Sequence, residues 1–309
     1  MIKFLIKRLV CLLIVVWLVS VLSFVMMRLA PGDPAIMSLP DFATEEQIEL
    51  MREKLGLNQP LFVQYWIFFS GMLRGDFGTS VLYQRPCLEV IMDRLPATFS
   101  VALVCSLLVL IVSVPLGILA GVYRGTPIDF FAVLFALLGQ SMSVVWVCVL
   151  LLLIFSVKLN VLPSMGYNGL TDLRYLIMPA VAMGYKMCAG MVRMGRSGMS
   201  DVLHEDYITC AYARGLSRFQ VNTKYAFKNS IIPVITLFGL DVAAALAGAT
   251  IIETTFTIPG IGSLLVKAVQ NRDYPLTQSA LVIMAAMFAL VNIVVDIVNA
   301  LVDRRMNLA

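Results

Sequence analysis

The chain has 309 residues, of which 60% are hydrophobic and only 14% charged, and its mean hydropathy is +0.90. A soluble domain carries about 25% charged residues, so this composition excludes a water-exposed globule and asks most of the chain to face lipid or other apolar helices. The net charge of +4 is too small to argue for nucleic acid. Cys11, Cys87, Cys105, Cys148, Cys188 and Cys210 form no CxxC pair and sit mostly in apolar runs, which excludes a disulfide framework or a zinc site.

The N-terminal MIKFLIKRLV leads into an apolar run from Leu9 to Met27, bounded by Arg8 and Arg28. No small-residue cleavage site follows, so a retained helix is predicted rather than a signal peptide. Next, Thr44-Glu45-Glu46-Gln47 has capping-box spacing. It opens a helix with Ile48, Met51 and Leu55 on one face, and Gly56 suits its C-terminal cap. Leu61–Leu73 is a second candidate helix. It is too short to span a bilayer, and Phe62, Tyr65, Trp66 and Phe69 suit the membrane interface.

Further apolar runs fall at 97–122, 130–156, 175–196, 232–254 and 279–302. Each meets the length of about 20 residues that a bilayer core requires. With the first run at 9–30 they predict an all-α membrane protein with six transmembrane helices. Pro96, Pro115, Pro179 and Pro233 sit at or in these runs, breaks that neighbouring helices make tolerable.

Charge sets the expected orientation. Residues 31–95 carry five Lys/Arg against nine Asp/Glu, whereas 193–230 carry six against three. Lys3, Lys7 and Arg8 lead the chain, and Arg304 and Arg305 end it. An excess of Lys/Arg marks the cytoplasmic side. Both termini and the 193–230 loop are therefore expected in the cytoplasm, with 31–95 as a folded external region.

The basic loop is unusual for a connector. Ala211 and Gly215 have the spacing that lets helices approach closely. Gly215 breaks a helix, and Phe219, Thr223, Ala226 and Phe227 offer a second short face. Two short helices around a glycine would make a knob for a partner's groove; a solvated connector is the plain alternative.

The segment containing Asp206-Tyr207, Ala211, Ala213-Arg214-Gly215-Leu216-Ser217 and Phe227-Lys228-Asn229-Ser230-Ile231-Ile232-Pro233 resembles the EAA loop of ABC importer permeases, in the version of the dipeptide, oligopeptide and nickel importers. The resemblance covers the whole chain. It includes Lys7-Arg8-Leu9, Leu29-Ala30-Pro31-Gly32-Asp33-Pro34, Leu55-Gly56-Leu57-Asn58-Gln59-Pro60-Leu61, Gly75-Asp76-Phe77-Gly78, Leu95-Pro96-Ala97-Thr98, Pro259-Gly260-Ile261-Gly262 and Arg272-Asp273-Tyr274-Pro275. It departs at Ile258, where the family usually has Trp, at Tyr225, where His is common, and at Ser230, where Ala is usual.

The resemblance implies a type I importer permease, the first of two such subunits, in a bacterial plasma (inner) membrane. One permease domain would span 1–309, with an external helical loop at 31–95, core helices at 97–302 and a coupling loop at 197–230. Asp206, Tyr207, Ala211, Ala213, Arg214, Gly215, Leu216, Ser217 and Asn229 would couple to an ATPase. The implied partners are a second homologous permease, two ATP-binding cassette subunits, an extracytoplasmic solute-binding protein and the bilayer. Peptides are the implied cargo; nickel, a metal chelate or metallophore, and glutathione are the alternatives.

No GxxxxGK[ST] phosphate loop occurs in the chain. ATP and Mg²⁺ are therefore expected on partner subunits, with no cofactor and no catalytic residue here. The single histidine, His204, reads as a polar loop residue, and the 18 methionines read as core filler.

Lys186 and Asp241 lie near the middles of the fourth and fifth runs. Ionisable groups there are costly and seldom face lipid. They either line a translocation cavity or form a structural ion pair between helices; Lys186 could also snorkel. Gln140, Ser141, Ser143, Glu253, Asn292 and Asp296 are weaker pathway candidates, or interhelical glue. A self-sufficient secondary transporter would require internal repeats. An intramembrane enzyme would require a nucleophile–base pair or a metal cluster. The sequence supplies neither.

Overall fold

A computed structural model describes residues 2–29, 34–37, 43–54 and 56–302. The Ala30-Pro31-Gly32-Asp33 motif, Leu55, Arg304 and Arg305 lie outside these. The described chain is nearly all helix, with one isolated β-bridge between Thr79 and Pro86. Four helices are long and apolar enough to cross a bilayer, and two bent pairs bring the count up to six. The chain divides into two compact units.

The first unit comprises residues 1–98 and 259–290. Helix α1 (Ile2–Leu29) is apolar nearly throughout and shows Leu9, Leu13, Trp17 and Leu22 on its surface. The short α2 (Pro34–Met37) follows. Then α3 (Glu45–Lys54) starts on the predicted capping box: Gln47 N–H donates to Thr44 Oγ1 at 3.4 Å, and Thr44 N–H donates to Gln47 Oε1 at 3.1 Å. Gly56 closes it with φ +68°, the left-handed cap that glycine adopts without strain. Helix α4 (Leu61–Leu73) packs on α1 through the Phe24–Tyr65 ring pair and a Ser20–Tyr65 hydrogen bond.

Helix α5 (Cys87–Val122) starts ten residues before the predicted span, at the charged stretch around Glu89 and Asp93. Those charges lie on an outer face, paired with Arg85 at 3.4 and 3.1 Å. Cys87, Val90 and Ile91 turn inward against Ile261, Leu264 and Ala268 of α14 (Ile261–Gln270), and against Leu276 and Ala280 of α15 (Tyr274–Val302). Local charge thus hid a helix with an apolar seam. At 36 residues α5 is about 54 Å long, well beyond a bilayer core of about 30 Å. Thr98 Oγ1 accepts from Ile261 N–H at 3.0 Å, which joins two of the sequence motifs.

The second unit comprises residues 99–258 and 291–309. The run expected as one helix over 130–156 is instead α6 (Pro127–Ser141) and α7 (Val144–Leu151), the latter continuing as a π turn to Lys158, with a bend of 107°. Ser141 Oγ bonds back to Leu137 O, and Met142 is extended. Tyr185 Oη donates to the carbonyl freed at Met142, at 2.6 Å. An interrupted helix survives in an apolar setting only when such groups are satisfied.

Helix α8 (Arg174–Leu203) runs seven residues past its predicted end, and Arg193 and Arg196, which the charge count assigned to the 193–230 loop, lie within the helix. It packs closely on α5 through glycines. A Cβ on Gly117 would come within 3.0 Å of Val192 O, and one on Gly121 within 2.6 Å of Met199 Cβ. The fifth predicted run is α12 (Ile232–Gly248) followed by the separate α13 (Thr250–Thr255).

Candidate functional site

Two features of the second unit gather the singled-out residues. The first is the segment after α8. Helix α9 (Asp206–Ala213) buries Ile208 and Ala211 and exposes Tyr207 and Tyr212. It stops in a Schellman motif. Gly215 N–H donates to Tyr212 O at 2.9 Å and Leu216 N–H to Ala211 O at 3.4 Å, with Gly215 at φ +81°. Ala211 and Leu216 then pack into one apolar cluster with Met199 and Val221.

The next helix starts three residues after the glycine. Ser217 caps α10 (Arg218–Gln220) with a reciprocal capping box to Gln220. One π turn, Val221–Ala226, leads into α11 (Phe227–Ser230). The extra residue of that turn resets the face expected from helical spacing. Val221, Ala226 and Ser230 point inward, while Phe219 stands 76% exposed. Asn229 Nδ2 donates to Tyr207 Oη at 2.8 Å and ties α11 back to α9. The result is a buckled pair of short helices whose turn presents Arg214, Gly215, Ser217, Arg218 and Phe219 to the surroundings.

The segment stands on a fixed base. Arg196 of α8 donates through Nε and Nη2 to the two oxygens of Asp129 in the first turn of α6, the second bond at 2.9 Å. Asp129 also accepts from Gly125 N–H, and Arg124 donates to Ser200 Oγ, both at 2.9 Å. His204, at the end of α8, bonds through Nδ1 to Ser200 O.

The second feature is a cavity of about 690 Å³. One stripe of α8 lines it at helical spacing: Met183, Lys186, Met187, Gly190, Arg193 and Ser197. Leu237, Asp241, Ala244 and Ala245 of α12 contribute at the same spacing, and Gln140 and Val144 flank the break between α6 and α7. Lys186, Asp241 and Gln140 therefore share one cavity. Among the described residues no ion pair joins Lys186 to Asp241.

Glu253 and Asn292 do not line this cavity. Glu253 is fully buried in α13, beside the lining residues Ile251 and Ile252, and Asn292 lies on α15. Sequence reasoning counted Arg193 as loop charge, yet it lines the cavity and donates to Gln140 Oε1 at 3.1 Å. Its place on the Lys186 stripe, seven residues on, was the available signal.

The sequence profile of the binding-protein-dependent transport system inner membrane component family matches residues 113–308, and the N-terminal profile of such components matches residues 1–102. The chain is 36% identical over 307 residues to the probable peptide ABC transporter permease protein y4tP of Sinorhizobium fredii, covering 98% of each. It is 36% identical over 303 residues to the glutathione transport system permease protein GsiC of Escherichia coli, again 98% of each. The oligopeptide transport system permease protein AppB of Bacillus subtilis is 35% identical over 295 residues, 93% of each. A chain of the MetNI methionine ABC transporter, solved in inward-facing conformations, superposes with TM-score 0.59 at 14% identity, covering 70% of this chain and 98% of that one. That likeness concerns the fold. With profiles matching both parts of its length and relatives aligned from end to end, the chain belongs to the binding-protein-dependent transport system inner membrane component family.

Proposed function

We propose that this chain is one of two permease halves of an ATP-driven importer that carries peptides across the bacterial inner membrane. The observation that carries the reading is the buckled pair α9–α11. It is an exposed knob with bases and aromatics at its tip, fixed to the end of α8, the same helix whose middle lines the cavity. A push on the knob is thereby delivered to the cavity wall. The partners are a second permease, two ATPase subunits that bind ATP and Mg²⁺, and an extracytoplasmic binding protein; this chain itself holds no cofactor and catalyses no reaction. On this reading each bent pair counts as one span, and the Lys/Arg bias of the 193–230 segment and of the N-terminus supports a cytoplasmic side for both termini and the knob. Lys186, Asp241 and Gln140 belong to the translocation path.

Peptide cargo is supported by the end-to-end likeness to y4tP and AppB. The equal likeness to GsiC favours glutathione as a second reading. The test is ATP-dependent uptake into proteoliposomes holding the full complex, with labelled di- and oligopeptides set against labelled glutathione. Accumulation of peptides supports the first reading, accumulation of glutathione alone the second. Equal uptake by this chain without its ATPases would overturn both.

A further inference from the structure

A second cavity, of about 300 Å³, lies within the first unit and shares no residue with the first cavity. Its lining includes Arg28, Gln64, Asp76, Arg272, Tyr274 and Gln278. Arg28 is held firmly. Its guanidinium lies 4.9 Å from the Phe24 ring centre and 5.2 Å from that of Tyr274. Its Nε and Nη2 donate to Gln64 Oε1 at 2.9 and 2.6 Å. The Gln64 amide is fixed in turn by the carbonyls of Leu57 and Gln59. This arrangement leaves Arg28 Nη1 with no partner. Gln278, only 5% exposed, likewise keeps Nε2 unpartnered. Among the described residues four buried side-chain atoms lack a partner, and two of them belong to this one lining.

Orphaned buried donors are costly and rare in native structures. Two at one cavity share a sign: both offer N–H, and neither can accept. The same lining carries Asp76, one oxygen of which already accepts from Gly78 N–H. Arg28 and Gln278 both line the cavity, while the two orphan nitrogens are themselves buried. The terminal torsion of glutamine has a broad well, so the Gln278 amide can turn outward at little cost.

We propose that this cavity binds an oxyanion, with Arg28 Nη1 and Gln278 Nε2 as its donors. A solute carboxylate and a lipid-headgroup phosphate present the same acceptor chemistry, and the experiment separates them. The inference stands apart from the transport reading.

The test is thermal unfolding of the chain purified with its partner subunits in a delipidated, phosphate-free sugar detergent. The probes are acetyl-glycylglycine, its C-terminal amide, and phosphatidylglycerol. The wild type should show a rise in Tm with the free carboxylate but not the amide, which names a solute, or with phosphatidylglycerol, which names a lipid. Gln278→Leu should lose that rise while keeping its basal Tm, because an apolar isostere removes an unsatisfied donor. If that variant does not assemble, Gln278→Glu should lose the rise in the same way. No rise in the wild type with any probe, or an equal rise in the variant, overturns the proposal. Peptide uptake by the wild type is scored separately, so its failure would count against the transport reading alone.

Discussion

Asp273 holds Ser80 from 193 positions away in the chain. The Ser80 hydroxyl and the Leu82 N–H donate to Asp273 Oδ2, while Oδ1 accepts from Leu276 N–H and so caps the start of α15. Both side chains are 1% exposed. A buried carboxylate is tolerable only when its oxygens are filled in this way, and here one residue fixes both a loop and a helix start. Asp273→Ala would strand three donors, with an expected loss of several kcal/mol, since each stranded buried donor costs about 1–3 kcal/mol. Asp273→Asn, which keeps one acceptor oxygen, should lose less. Differential scanning of the purified complex checks the order; equal loss in both variants would show that packing, not hydrogen bonding, is what Asp273 supplies.

Arg196 and Asp129 form the corresponding tie in the second unit. Because the pair is bidentate, Arg196→Lys should not substitute for it. Arg196→Ala leaves Asp129 with the Gly125 N–H and should cost about 1–3 kcal/mol, since the pair is only part-buried, whereas Arg196→Met combined with Asp129→Leu should recover most of that. Unfolding of the wild type, Arg196→Met, Asp129→Leu and the double variant in a double-mutant cycle measures the coupling. A coupling energy near zero would sink the role given to this pair as the base of the knob.

Much of this was legible in the sequence, where the local signal and the global demand agree. The Thr44–Gln47 cap, the stop at Gly56, the helix at Leu61–Leu73 and the break at Gly215 each follow from a few residues whose chemistry leaves one outcome. The misses have a common cause. Glu89 and Asp93 mask the start of α5, because hydropathy averages over a helix whose inner and outer faces differ. The Ser141–Ser143 break is invisible to any window, because the Tyr185 hydroxyl that satisfies Met142 comes from another helix. Helix α14 was missed because only packing against α5 and α15 shows which of its residues are inner. The Gly117–Gly121 pair had GxxxG spacing from the outset, but its partner surface on α8 was not readable from spacing alone.

That glycine pair makes a steric prediction. Gly121→Val would drive a branched side chain into Met199 and the Arg196 carbonyl, so α5 and α8 must separate. Overpacking of this kind costs typically about 1–3 kcal/mol. The expected result is a lower yield of assembled complex and a lower Tm. Gly125→Ala, where the glycine has φ +78° and open space around it, should cost only the left-handed backbone term of about 1 kcal/mol. Equal effects from the two would contradict close packing at Gly121.

Gly215 separates coupling from folding. A Cβ there meets nothing within 4 Å and pays for φ +81°, about 1 kcal/mol. Gly215→Trp should therefore leave the permease folded but place an indole at the tip of the knob. Loss of co-purifying ATPase subunits with the second permease retained is the expected outcome in mass spectrometry. Retained ATPases and unchanged uptake would remove the knob from the coupling path.

Lys186 and Asp241 decide what the first cavity is for. They line one cavity, and among the described residues no ion pair joins them, so on the proposed reading each is available to a charged or zwitterionic solute. Lys186→Gln and Asp241→Asn should each lower uptake by at least about tenfold, equivalent to about 1.4 kcal/mol, while assembly and ATPase binding stay intact. If each position meets a different part of the solute, exchanging the two, Lys186→Asp with Asp241→Lys, should not restore uptake. Restoration by the exchange would show that the two residues serve each other. Undiminished uptake in the single variants would move the path elsewhere, and Arg193, on the same stripe of α8 and already bonded to Gln140, would be the next residue to change.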